Sequence, residues 1–147
     1  MSTLRFKLPA AVFLILTDQD RVLLIRRQNT GWHDGDYDLV AGHIDGRESL
    51  SQALSREAKE EMGIEILPKN TKFAVLSHAL YEEDGKEYFN IFFTVSQWHG
   101  EPSIQEPDKC DDFRWFALDN LPPNLTPSAA TGLGAVRSGT SYVEFGF

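Results

Sequence analysis

Cysteine and long apolar runs are scarce in this chain of 147 residues. Cys110 is the single cysteine, so an internal disulfide is excluded and a reducing compartment is favoured. It lies among acidic residues in "EPDKCDDFRW", which predicts a structural thiol because neighbouring negative charge disfavours a thiolate. No apolar run reaches the roughly 18 residues that a membrane span needs. Together these shortages predict a cytoplasmic protein without a membrane partner.

Basic residues are also in the minority. There are 14 Lys and Arg against 22 Asp and Glu, for a formal net charge of -8. Duplex nucleic acid and anionic membranes both reward a basic surface, so this balance predicts no duplex nucleic-acid partner. Small phosphorylated ligands stay open, because a bound cation can reverse the local charge.

The remaining composition is that of a folded domain, with 41% hydrophobic and 24% charged residues. The length suits one domain over residues 1–147. Apolar runs at 10–17 and 22–27, split by a polar turn, predict a β-hairpin, and runs at 73–81 and 88–97 around Asp84-Gly85 predict another. A further strand is predicted at 113–118 and a weak helix at 127–137. Strands dominate, which indicates an α+β or mixed α/β domain.

The strongest helix signal covers residues 49–62. Ser49 with Gln52 three residues later forms a capping-box pattern, and Gly63 occupies the position of a C-terminal glycine. An apolar stripe with helical spacing predicts one buried face.

Three glutamates, Glu57, Glu60 and Glu61, share another face of this helix at positions i, i+3 and i+4. Taken alone, such a face is more often solvated, with water and salt screening the repulsion. The alternative is a site for a hard cation such as Mg²⁺, which prefers carboxylate oxygens.

The sequence around these glutamates favours the cation site. The segment 42–64 reads "GHIDGRESLSQALSREAKEEMGI" and resembles the box of the Nudix hydrolase family, G-x5-E-x7-R-E-U-x-E-E-x-G-U, where U is a bulky apolar residue. The matching positions are Gly42, Glu48, Arg56, Glu57, Glu60, Glu61, Gly63 and Ile64, whereas Ala58 is small for its U position. Eight fixed positions over 23 residues make a specific signal.

The resemblance implies an α/β/α sandwich with a mixed β-sheet and a loop–helix–loop metal site. It implies a hydrolase that cleaves a diphosphate linkage in a nucleoside diphosphate joined to another group. Glu57, Glu60 and Glu61 would bind Mg²⁺ or Mn²⁺, and the backbone carbonyl of Gly42 would add an oxygen. Glu57 is also the candidate general base. Family members are often dimers, so a homodimer is implied as one assembly.

Arg56 and Glu48 would pair and hold the box helix and its preceding loop in register. Beyond the box, the resemblance points to Asp112, a better match than its neighbour Asp111, as a further metal ligand before a "W-F" strand. A solvated acidic loop is the alternative for this pair of aspartates.

Three further residues are candidates for substrate binding. Strand alternation puts one residue of the "RR" pair at 26–27 on the site face, and we take Arg26 as the candidate for a phosphate contact. His43 occupies a variable position inside the box. Tyr81 lies 17 residues after Ile64, where dinucleoside polyphosphate hydrolases of the family tend to carry a tyrosine. Exposed charge or ordinary packing is the alternative for each.

The substrate is left open among small nucleotides. A nucleoside triphosphate, oxidised or not, is the first candidate, and a dinucleoside polyphosphate or a nucleotide sugar is the alternative. The segment "VAGH" departs from the common "PGG" before the box, which weakens kinship with the enzymes that remove oxidised nucleotides. A non-catalytic nucleotide sensor is the competing class, although a sensor does not need all three glutamates.

Overall fold

The computed structural model describes residues 4–147, which form eight strands, two α-helices and one short 3-10 helix. The first three residues of the predicted domain lie outside the described residues. The strands are β1 (Ala10–Asp18), β2 (Arg21–Arg27), β3 (Tyr37–Asp38), β4 (Val40–His43), β5 (Lys72–Leu80), β6 (Glu87–Val95), β7 (Cys110–Ala117) and β8 (Tyr142–Phe145). The helices are α1 (Leu50–Met62), the 3-10 turn Pro68–Asn70 and α2 (Pro127–Ser138).

The strands form two joined groups. The first is mixed: β1 pairs with β6 and β5 with β8 in parallel, whereas β4 with β1 and β5 with β6 are antiparallel. The second is antiparallel, with β2 between β3 and β7. β1 and β2 pair only beside their turn, at Thr17↔Val22 and Asp18↔Arg21. Beyond that turn the two strands diverge, and a space opens between the groups.

The two helices cover opposite faces of the mixed sheet. Side chains alternate along β1, so that Val12 and Leu14 pack in the core that contains α1, whereas Phe13 and Ile15 pack in the core that contains α2. All four are at most 6% exposed, and each buried side chain of this size contributes about 1.5–3 kcal/mol. The predicted mixed sheet between two helices is confirmed.

Local sequence explains the bounds of α1. The Ser49 side chain accepts from the backbone N–H of Gln52, and the Gln52 side chain accepts from the backbone N–H of Ser49. Gly63 ends the helix with φ 68°, a left-handed conformation that glycine adopts without steric cost. The buried side chains of α1 are Ala53, Leu54, Ala58 and Met62, which leaves the glutamates on another face.

Three strand assignments differ from the sequence-based expectation. β3 and β8 lie in segments that the sequence did not mark as strands, and β7 begins at Cys110, earlier than the expected 113. Each depends on pairing with a distant strand: β8 with β5, and β3 and β7 with β2. No helix among the described residues is long and apolar enough to cross a membrane.

Candidate functional site

A cavity of about 700 Å³ opens where β1 and β2 diverge. Its lining comes from β1, β2, β3, β4, β6 and the start of β7, from α1 and the first turn of α2, and from the loops that follow β2, follow β5 and precede β7. This volume lies within the range of about 300–1,000 Å³ that is typical of small-molecule sites. The cavity therefore connects the acidic face of α1 with the opposite side of the sheet.

The three glutamates of α1 all line this cavity, next to Gly42 and His43 of β4. A Cβ added to Gly42 would lie 2.5 Å from Oε2 of Glu57 and closer still to two other atoms of that carboxyl group. The absence of a side chain at position 42 is what allows the Glu57 carboxylate to lie against the β4 backbone. Glycine is thus required here for a close approach.

Arg56 and Glu48 form the expected pair. Nη2 of Arg56 donates to Oε1 of Glu48 at 2.8 Å, and Nε donates to Oε2 at 3.2 Å. Arg56 Nη2 also donates to the backbone carbonyl of His43 at 3.1 Å, so the arginine ties α1 to β4. Hydrogen bonding from Arg56 lowers the pKa of Glu48 and hydrogen bonding from Glu48 raises the pKa of Arg56, so both stay charged. Neither side chain lines the cavity.

Glu61 is the unusual carboxylate of the group. The residue as a whole is partly exposed, but its Oε2 atom is buried. Among residues 4–147 it is the one buried side-chain nitrogen or oxygen without a hydrogen-bond partner. Burial, followed by the nearby charge of Glu57, raises the pKa of Glu61 well above its ordinary value. An unpaired carboxylate in this environment costs free energy unless a proton or a cation joins it.

The donor set fits a hard divalent cation, because it consists of carboxylates with an unpartnered buried oxygen beside a backbone exposed by glycine. No group of three His, Cys, Asp or Glu side chains in the described part of the chain is arranged to hold a metal ion as it stands. Arg56 accounts for part of this, since its Nη1 donates to Glu57 at 2.8 Å and to Glu60 at 3.4 Å. Binding a cation would require these two carboxylates to turn.

The structure places Arg27, and not Arg26, in the cavity lining. Alternation along β2 explains this difference from the expectation: Arg27 lies on the same face of the strand as Ile25, which also lines the cavity, and Arg26 lies on the other face. Arg26 points away from the lining and donates to Asp111 at 2.8 Å. The expectation that Arg26 lies on the site face is therefore wrong. The expectation that only one of the two arginines faces the site agrees with the cavity lining.

Asp112 also lies outside the cavity lining. Its carboxylate accepts from the Tyr37 hydroxyl at 2.6 Å and from Arg114 at 2.8 Å. Despite burial, these hydrogen bonds lower the pKa of Asp112. The structure does not bring Asp112 to the glutamates of α1, and its metal role stays a prediction without geometric support. Glu106 lines the cavity instead, an acidic residue that the sequence did not single out.

His43 and Tyr81 both line the cavity. The His43 ring stacks on Tyr88, with centroids 5.6 Å apart and 11° between the planes. The Tyr81 hydroxyl accepts from Nδ2 of Asn90 at 2.9 Å, and burial raises the pKa of Tyr81 to about 12. Tyr81 is only 7% exposed, so its contact with a ligand would be limited.

Sequence reasoning missed several cavity residues. Asp38 is 3% exposed beside Arg27, with Oδ2 at 3.4 Å from Nη1, and burial raises the pKa of Asp38. Lys86 and Lys109 add positive charge to the lining, and Asn90 adds an amide. These residues come from separate segments of the chain, and no local sequence pattern indicates that they lie together in the fold.

Comparison with known proteins assigns the chain to a family. The model of the NUDIX domain matches residues 7–133. The chain therefore belongs to the NUDIX family, whose members are pyrophosphohydrolases.

Among individual proteins, the chain is similar to two curated relatives named NAD-capped RNA hydrolase NudC. The protein from Stutzerimonas stutzeri is 29% identical over 119 residues, which cover 79% of this chain and 39% of the relative. The protein from Pseudomonas aeruginosa is 32% identical over 123 residues, with coverages of 80% and 39%. The chain thus spans about two fifths of the length of the curated relatives that it matches.

Solved structures extend the similarity to about nine tenths of the chain. A MutT NUDIX hydrolase from Burkholderia pseudomallei has a TM-score of 0.82 and 27% identity, covering 89% of this chain and 99% of that one. A NUDIX hydrolase from Nitrosomonas europaea has a TM-score of 0.77 and 23% identity, covering 92% and 93%. The second likeness concerns the fold alone.

Proposed function

We propose that this chain is a divalent-metal-dependent hydrolase that cleaves the diphosphate linkage of a nucleotide or nucleotide derivative. One observation carries the proposal: the buried, unpartnered Oε2 of Glu61 at the wall of a nucleotide-sized cavity. A buried carboxylate oxygen without a partner destabilises a fold, so a site that retains one beside Glu57 and Glu60 is suited to a cation.

Glu57, Glu60 and Glu61 would hold Mg²⁺ or Mn²⁺, with the backbone carbonyl of Gly42 as a further oxygen. When bound there, the cation would neutralise the diphosphate, orient the attacking water and stabilise the leaving group. Arg56 positions the Glu57 carboxylate through its 2.8 Å hydrogen bond. Glu57 is the candidate to accept the proton of the attacking water.

Three basic side chains of the lining, Arg27, Lys86 and Lys109, supply charge for the phosphates. Arg27 is held in place by donating to the Trp32 carbonyl at 2.7 Å and to the Thr30 hydroxyl at 2.8 Å. Its guanidinium is therefore oriented before a ligand arrives, which reduces the entropy lost on binding. We propose that Arg27 has the phosphate-binding role that strand alternation allotted to one arginine of its pair.

The leading substrate is a nucleoside triphosphate, oxidised or not, and dinucleoside polyphosphates and nucleotide sugars are alternatives. Aromatic rings of the lining, such as Trp32 and Tyr88, suit a heterocyclic base. A NAD-capped RNA is a second candidate, because the relatives from Stutzerimonas stutzeri and Pseudomonas aeruginosa are named for that activity. The net charge of -8 disfavours a long RNA chain.

The test is a panel of these substrates, incubated with Mg²⁺ or with EDTA and analysed for released nucleoside monophosphate. We expect metal-dependent release for at least one substrate. We expect Glu60→Gln to lower the rate by on the order of 100-fold or more, as removal of a transition-state charge partner commonly does. Glu101→Gln is the matched control, because Glu101 is exposed and outside the lining.

Two outcomes would contradict the proposal. Equal turnover by Glu60→Gln and the parent would remove the metal role of the acidic face. Tight binding of a nucleotide without any release of product would favour the alternative of a non-catalytic sensor.

A further inference from the structure

The cavity has a polar wall on the side opposite the glutamates. Asn90 of β6 pairs in register with Ala11 of β1, and Ala11 belongs to the core that contains α2. Ser128 in the first turn of α2 lines the same side. Asn90 and Ser128 are each 3% exposed, and Tyr81 is 7% exposed. These buried polar groups face the cavity and take no part in the metal chemistry proposed above.

Asn90 has hydrogen-bonding capacity left for a ligand. Its amide offers two N–H donors and a carbonyl oxygen with two lone pairs. Within residues 4–147 its side chain makes one hydrogen bond, from Nδ2 to the Tyr81 hydroxyl at 2.9 Å. One N–H and the carbonyl oxygen are therefore available side by side at the cavity wall. An amide at a cavity wall with a donor and an acceptor that the protein leaves unused favours a ligand that pairs with both.

Tyr81 orients this amide. Its ring is held between Trp32, with centroids 5.7 Å apart, and Tyr88 and Phe145, at 6.0 Å and 5.7 Å. A ring fixed on several sides keeps its hydroxyl in one place, and the hydroxyl in turn fixes the plane of the Asn90 amide. Tyr81 is in this view a positioning residue and does not stack on the ligand.

We propose that Asn90 reads the hydrogen-bonding edge of the substrate's nucleobase and that Tyr81 positions Asn90 for this contact. The free N–H and carbonyl oxygen pair with an acceptor and a donor that are adjacent on the base, as an asparagine amide does with adenine in nucleic-acid recognition. Phe13 and Trp32 line the same cavity and provide apolar surface for the ring faces. This inference rests on the proposed function, since it assigns the base subsite of the same cavity.

The inference is tested by ligand binding in EDTA, so that it does not depend on metal or turnover. Binding of the four common nucleoside 5′-monophosphates and of ribose 5-phosphate is measured by isothermal titration calorimetry. We expect the parent to bind one monophosphate on the order of 10- to 100-fold more tightly than ribose 5-phosphate, the range for a bidentate amide–base contact. Asn90→Ala should remove most of this preference and leave the ribose 5-phosphate affinity unchanged.

Three further variants separate recognition from a general loss of structure. Asn90→Asp replaces the donor by an acceptor and should reorder the preference among bases. Tyr81→Phe should weaken the preference only partly, because the amide remains but is less well oriented. Ser77→Ala is the control: Ser77 pairs with Asn90 across β5 and β6 and is 1% exposed, but lies outside the cavity lining. Thermal unfolding of each variant verifies that the fold is intact.

An unchanged base preference in folded Asn90→Ala and Asn90→Asp would overturn the inference, as would a parent that binds ribose 5-phosphate as tightly as every monophosphate. Neither result would affect the proposed hydrolysis. Conversely, a protein that shows the Asn90-dependent preference but never releases product would overturn the proposed function and leave the base subsite in place.

Discussion

Replacing Glu61 by glutamine is the change for which the structure predicts opposite effects on stability and on metal binding. Glutamine has nearly the same shape as glutamate but no charge. The Oε2 atom of Glu61 is buried without a partner, and burial together with Glu57 raises the pKa of Glu61. The metal-free protein should therefore gain stability in Glu61→Gln, whereas a cation loses a charged ligand.

The magnitude follows from the cost of an unsatisfied buried group. That cost is about 1–3 kcal/mol, and the amide of glutamine recovers part of it. For a domain of this size 1 kcal/mol shifts the melting temperature by roughly 3–4 °C. We expect the melting temperature of Glu61→Gln in EDTA to be about 2–8 °C above that of the parent.

The pH dependence has a defined sign. Folding raises the pKa of Glu61 above the ordinary value of 4.5, so the native state holds this proton more tightly than the unfolded chain. This group's contribution to stability is complete below the unfolded pKa and is lost as pH rises through the raised native pKa. The stability gain of Glu61→Gln over the parent should therefore be small near pH 4.5 and grow as pH increases.

The assay is thermal unfolding followed by circular dichroism, in EDTA and in a series of Mg²⁺ concentrations. A cation that binds only the native state at 100 times its Kd adds about 2.7 kcal/mol. The parent should show such a rise and Glu61→Gln a much smaller one, whereas the exposed-site control Glu101→Gln should match the parent in both. A lower melting temperature of Glu61→Gln in EDTA, with an undiminished response to Mg²⁺, would show that Glu61 is neither a source of strain nor a metal ligand.

Three other changes give separate tests. Gly42→Ala should lower kcat about 100-fold without unfolding the protein, because the new Cβ would overlap the Glu57 carboxylate and move it by about 1 Å to a contact distance of about 3.5 Å. Gly134→Ala is the control, with nothing within 4 Å of the new Cβ, and should keep full activity and unfold at a slightly higher temperature. Arg27→Lys should raise KM about tenfold through loss of an oriented guanidinium, whereas an equal effect of Arg26→Lys would contradict the assignment of Arg27 to the cavity face of β2. Although burial lowers it, the pKa of His33 is raised overall by hydrogen bonds to the carboxylates of Asp36 and Glu83. The stability that His33→Asn removes should therefore be present below the ordinary pKa of 6.5 and be lost at higher pH. Urea unfolding across this pH range measures the loss.

Local sequence was sufficient to predict the central helix of this fold. The capping box at Ser49 and the left-handed Gly63 were both expected, because caps depend on residues only a few positions apart. β8 was not expected, since it is a strand only through parallel pairing with β5, more than sixty positions earlier. Pairing over such separations depends on the tertiary fold and is not encoded in a local window.

The same distinction applies to the candidate site. The carboxylates of α1 could be placed together from their helical spacing, and all three line one cavity. The choice between Arg26 and Arg27 depends on which face of β2 meets the cavity, and Ile25 and Arg27 share that face. Both faces of β2 carry buried apolar side chains, with Leu23 in the core that contains α1 and Leu24 in the core that contains α2, so the sequence of β2 alone does not show which face meets the cavity. Asn90 was missed for a related reason, because its buried position among apolar neighbours is visible only in three dimensions.

We propose above all that the acidic face of α1 supports hydrolysis of a diphosphate linkage. The most direct measurement is phosphorus-31 NMR spectroscopy of a nucleotide substrate incubated with the protein, first in EDTA and then with added Mg²⁺. We expect diphosphate resonances to persist in EDTA, to give way to phosphomonoester resonances after Mg²⁺ is added, and to persist throughout with Glu57→Gln. Conversion at the same rate in EDTA, or by Glu57→Gln with Mg²⁺, would contradict it.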